Sequence, residues 1–203
     1  MSKIDFKKEY KDLYRPSARE VSVVVVPAMN FLMIDGMGDP GSSKEFEAAM
    51  EALYPMAYSL KFMSKLGPTA QDYVVPPLEG LWWADDMNAF AEGRRDEWKW
   101  TLMIMQPGFV SKAMYEEALV SVRKKKDPAL LDRVRFEPYE EGESVQLLHI
   151  GPFEEEGPSV ARLHDKIDEL GKKRFHKHHE IYLSDPRRAA PEKLKTVLRQ
   201  AMR

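Results

Sequence analysis

The run KHHEIYLSDP at residues 177–186 holds the side chains best suited to chemistry. Strand alternation puts Glu180 and Tyr182 on one face and Ile181 and Leu183 on the other, so a carboxylate and a phenol become neighbours. An ionised carboxylate among rings is costly unless a cation or a hydrogen-bond donor meets it. A lipophilic cation is such a partner, and aromatic faces add about 0.5–2 kcal/mol of cation–π attraction. The plain alternative is a solvated strand face, on which a glutamate needs no explanation. Alternation also groups His176, His178 and Glu180, and two imidazoles with a carboxylate are the makings of a facial metal site. That motif is short and no further ligand is identifiable, so no metal is assigned. His178 and His179 are read as strand-entry residues or the rim of a pocket, and His179 joins the ligand-binding candidates. His149 and His164 have no catalytic company in sequence and are assigned structural roles.

A second concentration is aromatic. All four tryptophans lie in GLWWAD and EWKW. Trp98 and Trp100 are two apart and share a strand face, whereas adjacent Trp82 and Trp83 point to opposite faces, so only one of that pair joins a given surface. With Tyr73 upstream and the flexible thioethers of Met103 and Met105 in TLMIMQ, these rings suit a pocket wall that accepts several shapes. Core packing is the competing assignment for each of them.

The elements that must position these residues follow from periodicity. Residues 1–20 are polar and form a docked N-terminal arm. EVSVVVVPAMNFLMIDGMGDPG reads as two strands, or one bent strand, broken at Pro27. Ser43 is placed to N-cap a helix whose apolar residues Phe46, Met50, Leu53, Ala57 and Leu60 recur at helical spacing, ending at Gly67. DYVVPPLEGLWWAD and EWKWTLMIMQ are strands, and a helix at about 111–126 follows. Then come a hairpin turning near Gly142, a helix from about Ser159, the strand HHEIYLS and the strand LKTVLRQAM. The order strand, strand, helix, strand, strand occurs twice, over about 21–106 and 134–202. Sliding one half along the other sets Gly36 opposite Gly151, Asp85 opposite Asp185 and Gly80 opposite Glu180. The fold class is therefore α+β: duplicated units forming antiparallel sheet, helices on one face and a central ligand cleft, with 21–203 as one domain.

Bulk composition excludes several functions. Lys and Arg number 31 against 33 Asp and Glu, which gives no electrostatic footprint for nucleic acid or an anionic membrane. No run approaches the roughly 20 apolar residues of a spanning helix, and the N-terminus is too charged for a secretory signal; a cytoplasmic location is expected. Cysteine is absent, which removes disulfides and thiolate chemistry. No phosphate loop, dinucleotide fingerprint, nucleophile elbow or zinc-protease helix is present, and no cofactor is expected.

GPFEEEGPSVARLHDKI, HHEIYLSDPRRAAPEKLKTVLRQAM, PLEGLWWAD and WKWTLMIMQP together resemble the stand-alone GyrI-like small-molecule-binding proteins, relatives of the effector-binding domains of AraC- and MerR-type regulators. The likeness runs from about Val21 to Met202. It implies a duplicated fold with a drug-accepting cleft, and it places the family's cleft glutamate at Glu180, followed by Tyr182. With only some 20 residues ahead of it, the chain looks like a binding domain without a DNA reader. The resemblance implies binding of lipophilic, often cationic or planar small molecules. Some stand-alone members open cyclopropane-bearing genotoxins by hydrolysis; here Glu180 would act on water while Tyr182 or a tryptophan N–H polarised a carbonyl. A gyrase-modulating role through the surface is a third reading, drawn from the family name. Neither the natural ligand nor the oligomeric state is legible.

Overall fold

Apolar runs of period two become strands and runs of period three to four become helices. A computed structural model of the chain describes residues 3–68 and 70–203. The first repeat contains β1 (Ser22–Val26), β2 (Met29–Met37), α3 (Lys44–Leu66), β3 (Leu78–Trp83) and β4 (Lys99–Gln106), preceded by the short helices α1 (Phe6–Glu9) and α2 (Lys11–Tyr14). A turn of helix, α4 (Asn88–Ala91), interrupts the β3–β4 connection, and α5 (Lys112–Lys125) leads to the second repeat. That repeat contains β5 (Arg135–Tyr139), β6 (Gly142–Ile150), α6 (Gly157–Glu169), β7 (Arg174–Tyr182) and β8 (Lys195–Met202). Eight strands and six α-helices among the described residues make an α+β protein, and the duplicated order is plain in them.

The chain divides into two compact units that are not continuous in sequence. Unit 1 comprises residues 3–6, Met29–Pro76 and Trp82–Tyr139; unit 2 comprises Lys7–Ala28, Pro77–Leu81 and Glu140–Arg203. In unit 1, β2 lies between β4 and β5, antiparallel to both. In unit 2, β6 lies between β1 and β8, and β8 pairs on its other side with β7, again all antiparallel. The first strand of each sequence repeat thus belongs to the other repeat's sheet. The stretch 134–150 is consequently no hairpin: β5 bonds to β2 and β6 to β1, although only two residues separate them. The units therefore do not follow the boundaries 21–106 and 134–202.

The pairing also shifts the internal alignment by one residue. Gly36 faces Trp100, while Ile150 faces Lys195, so Ile150, and not Gly151, occupies the position equivalent to Gly36 once Thr101 is set against Thr196. Gly36 has its own reason to be glycine. A Cβ there would stand 2.1 Å from Cη2 of Trp100, whose ring is wholly buried.

Each unit has its helix and its core. The side chain of Ser43 caps α3 by accepting from the N–H of Phe46 at 3.3 Å, and α3 buries Phe46, Leu53, Met56 and Leu60 while contacting β2, β4 and α5. In unit 2, Leu163 and Ile167 of α6 pack on Val145, Leu147, Leu198 and Met202. α6 begins at Gly157, two residues before Ser159, because Pro158 suits the first turn of a helix. From Lys7 onward the N-terminal arm is part of this unit, and its Leu13 and Tyr14 are core residues.

Candidate functional site

β7 carries the chemistry of unit 2, and its register is interrupted. Phe175 pairs with Ala201 and His178 with Gln200, so a bulge lies between them, with His176 at φ 57°. His176 therefore falls out of the alternation that would have set it with His178 and Glu180. Among the described residues no group of three or more His, Asp or Glu is arranged to hold a metal ion. Beyond the bulge, regular pairing with β8 puts Glu180 opposite Leu198 and Tyr182 opposite Thr196.

Glu180 is partly buried, and the Tyr182 hydroxyl donates to its Oε2 at 2.7 Å. Nε2 of His178 stands 3.6 Å from its other oxygen. The ring of Phe153 meets Tyr182 edge-on at 5.8 Å. Phe153 and Glu156 both come from the connection between β6 and α6. Gly151 opens that connection at φ 145°. His149 then holds it, with Nδ1 3.0 Å from Ser159 Oγ and Nε2 3.2 Å from the Pro152 carbonyl; the carbonyl can only accept, so Nε2 donates to it.

Glu156 is the residue that the sequence did not single out. It is 7% exposed, and burial first, then the charge of Glu180, push its carboxyl pKa well above the ordinary range. The neighbouring Thr196 hydroxyl opposes that shift without cancelling it. Oε1 of Glu156 and both ring nitrogens of His178 are buried without a hydrogen-bond partner among the described residues, where buried polar atoms are ordinarily bonded. The place thus combines two carboxyl groups, a phenol and an exposed phenylalanine ring.

His179 differs from the expectation. It is 1% exposed and no rim residue: alternation puts it on the face of Ile181, which is core. Its ring nitrogens lie 2.9 Å from Glu79 Oε2 and 2.9 Å from Glu141 Oε2, so both must donate and the ring is an imidazolium. Burial works against that charge, but Glu141 and Glu79 outweigh it and hold the pKa up to about 9. Burial likewise opposes the charge of Glu141, and His179 with Arg199 hold it down to about 2. Arg199 also bonds Gln146 Oε1 at 2.9 Å and the Leu13 carbonyl at 2.6 Å, and Tyr14 donates to Glu79 at 3.0 Å. This two-plus, two-minus cluster fixes the strand on which Glu180 sits.

The aromatic candidates form a chain of contacts inside unit 1. Phe90 stacks on Trp98 at 4.9 Å, Trp98 meets Trp82 edge-on at 6.2 Å, and Phe46 touches both Trp82 and Trp100. The Arg95 guanidinium stands 5.4 Å from the centre of the Trp98 ring. Trp100, Tyr73, Met103 and Met105 have the burial of core residues, and Trp82 nearly so. Trp83 and Trp98 keep partial exposure. Tyr73 packs between Phe6 and Phe109, with its hydroxyl 3.4 Å from Gln106 Oε1. The candidates thus fall in two groups, Glu180, Tyr182 and His179 in unit 2 and the tryptophans, Tyr73 and methionines in unit 1.

Residues 19–199 match the family described as the GyrI-like small molecule binding domain. The chain belongs to this GyrI-like family. A Listeria innocua protein described as uncharacterized and conserved is 46% identical over 99% of this chain and 100% of its own, with a TM-score of 0.90. A second Listeria innocua structure, described as a hydrolase, is 45% identical over 99% and 100% of the two chains, with a TM-score of 0.87. The EcmrR C-terminal domain shares the GyrI-like fold alone, at 9% identity over 91% and 97% of the two chains and a TM-score of 0.54. None of the curated proteins compared with the chain matches it. Among the described residues no helix is long and apolar enough to cross a membrane.

Proposed function

We propose that this GyrI-like chain binds a lipophilic small molecule whose positively charged or electrophilic centre sits beside Glu180. The observation that carries the reading is the state of that carboxylate: partly buried, oriented by the Tyr182 hydroxyl at 2.7 Å, and paired with no Lys or Arg among the described residues. A charge so placed gains from a cationic partner, and the rings of Tyr182 and Phe153 supply faces for its apolar body. Titration with a cationic dye tests it. Glu180→Gln keeps size and hydrogen bonding but removes the charge, so affinity for the cation should fall by roughly tenfold or more, a charged hydrogen bond contributing about 1.5–3 kcal/mol. A neutral ligand of the same shape should be little affected. Equal affinity of both proteins for the cation would sink the reading.

Hydrolysis of the bound molecule is the second reading, favoured by the full-length relative described as a hydrolase. Glu180 would take a proton from water as the water oxygen bonds to a cyclopropane carbon; the ring C–C bond breaks, its electron pair passes to the conjugated carbonyl oxygen, which a neighbouring hydroxyl stabilises, and the proton held by Glu180 is returned to that oxygen. Incubation with a cyclopropane-bearing alkylator, followed by mass spectrometry, should show addition of one water in the wild type and none in Glu180→Gln. Binding without any product in the wild type would leave sequestration as the activity.

A further inference from the structure

Ser43 and Glu156 occupy the same place in the two repeats, immediately before the long helix of each. Ser43 spends its side chain on capping; Glu156 makes no side-chain cap bond. A helix N-terminus favours a negative side chain that caps it, so a glutamate buried there and turned instead toward a second carboxylate has been committed elsewhere. No lysine or arginine among the described residues is ion-paired with Glu156 or Glu180. The groups acting on Glu156 are Glu154 from its own connection, Glu180 from β7 and Thr196 from β8; His178 and Tyr182 of β7 stand against Glu180. His149 is already committed to Ser159 and the Pro152 carbonyl.

We infer that Glu156 is a second functional carboxyl group of this site, sharing one proton with Glu180, so that the pair presents a single negative charge and selects singly charged cations over dications. Two adjoining carboxylates in a water-poor setting do not both ionise. A monocation neutralises Glu180 and leaves Glu156 with its proton, which burial alone still favours. A second positive charge finds no counter-charge until Glu156 releases that proton. Dication uptake is therefore linked to pH, and monocation uptake is not. The inference rests on the reading that Glu180 anchors the charge of the ligand.

Two measurements on the full chain test it separately from that reading. Infrared spectroscopy of the unliganded protein at neutral pH should show the carbonyl band of a neutral carboxylic acid that is missing in Glu156→Gln. Titration calorimetry, in two buffers of different ionisation enthalpy, would compare crystal violet, a monocation, with methyl green, a dication of the same ring system. Methyl green uptake should release about one proton, and its affinity should rise by up to about tenfold per pH unit. Glu156→Gln should abolish both effects, so that methyl green affinity no longer changes with pH and its uptake releases no proton. Absence of the acid band overturns the proposal. So does a Glu156→Gln protein that loses crystal violet as severely as Glu180→Gln, or dication uptake without proton release. If Glu180→Gln binds crystal violet like the wild type, the anchoring reading fails, and the infrared band still decides whether the proton is there.

Discussion

The two units build the same sheet-and-helix plan from opposite materials. Unit 1 fills its interior with rings and thioethers, from Phe46 and Trp100 to Met103 and Met105, whereas unit 2 buries Glu79, Glu141, His179 and Arg199 in one cluster. A ring core is held by area and contact, which are indifferent to protons. A buried ionic cluster is held only while each member keeps its charge. The contrast shows how one duplicated plan can be held by charged pairs in one copy and by ring contacts in the other.

The sharpest way to break the comparison is to remove one centre from each unit. His179→Ala leaves Glu79 and Glu141 buried without their shared cation and should cost about 3–5 kcal/mol in urea unfolding. Trp100→Ala should cost a similar amount, about 3–5 kcal/mol, as a cavity. Their pH behaviour should differ. A folded-state pKa raised above the unfolded value contributes stability that is complete below about 6.5 and disappears as pH rises through about 9. Glu141, lowered to about 2, contributes above its ordinary 4.5 and loses that contribution as pH falls through about 2. Stability of the wild type and of Trp100→Ala should therefore decline between about pH 6.5 and 9. The share due to His179 should be missing from His179→Ala. Equal slopes in all three proteins would mean that the imidazolium is not what the cluster depends on.

A smaller effect is expected at Gly36. Alanine there drives a methyl group into the Trp100 ring, and overpacking of this kind costs about 1–3 kcal/mol. The change should be reduced when Trp100 is shortened to leucine in the same protein. Smallest is Ser43→Ala, which removes the α3 cap and should cost about 1 kcal/mol by thermal unfolding. Glu156→Ala should not show a capping loss of that kind, since its side chain does not cap α6.

Much of this was legible in residue order. The cap at Ser43, the 3–4 spacing to Leu60 and the stop at Gly67 gave α3 almost to the residue, because local signals decide a long amphipathic helix. The alternation Glu180, Ile181, Tyr182 gave the phenol–carboxylate pair. The bulge before His178 was hidden, since a strand's period says nothing of an inserted residue. The exchange of β1 and β5 was hidden as well, because two residues between strands suggest a hairpin and partner choice is set by distant pairing. His179 lay within reach of the argument: it shares parity with Ile181, which is core. Glu156 was obscured by its neighbours, as three successive glutamates look solvated. Its usable signal was position, a glutamate directly before the Gly-Pro that opens α6.

The strand exchange has a consequence for how the polypeptide is made. Ser22 finds its partner Gln146 only after 124 further residues, and β8, which must lie between β6 and β7, is made after both of them. Unit 1 can close its sheet once Tyr139 has emerged, but the valine-rich first strand of unit 2 waits for β6, and β6 and β7 are not joined until β8 follows. Each such long loop adds entropy that must be lost before contacts repay it. A nascent chain stalled before β6 therefore carries an unpaired SVVVV segment, the kind of edge that chaperones cover and neighbouring chains adhere to.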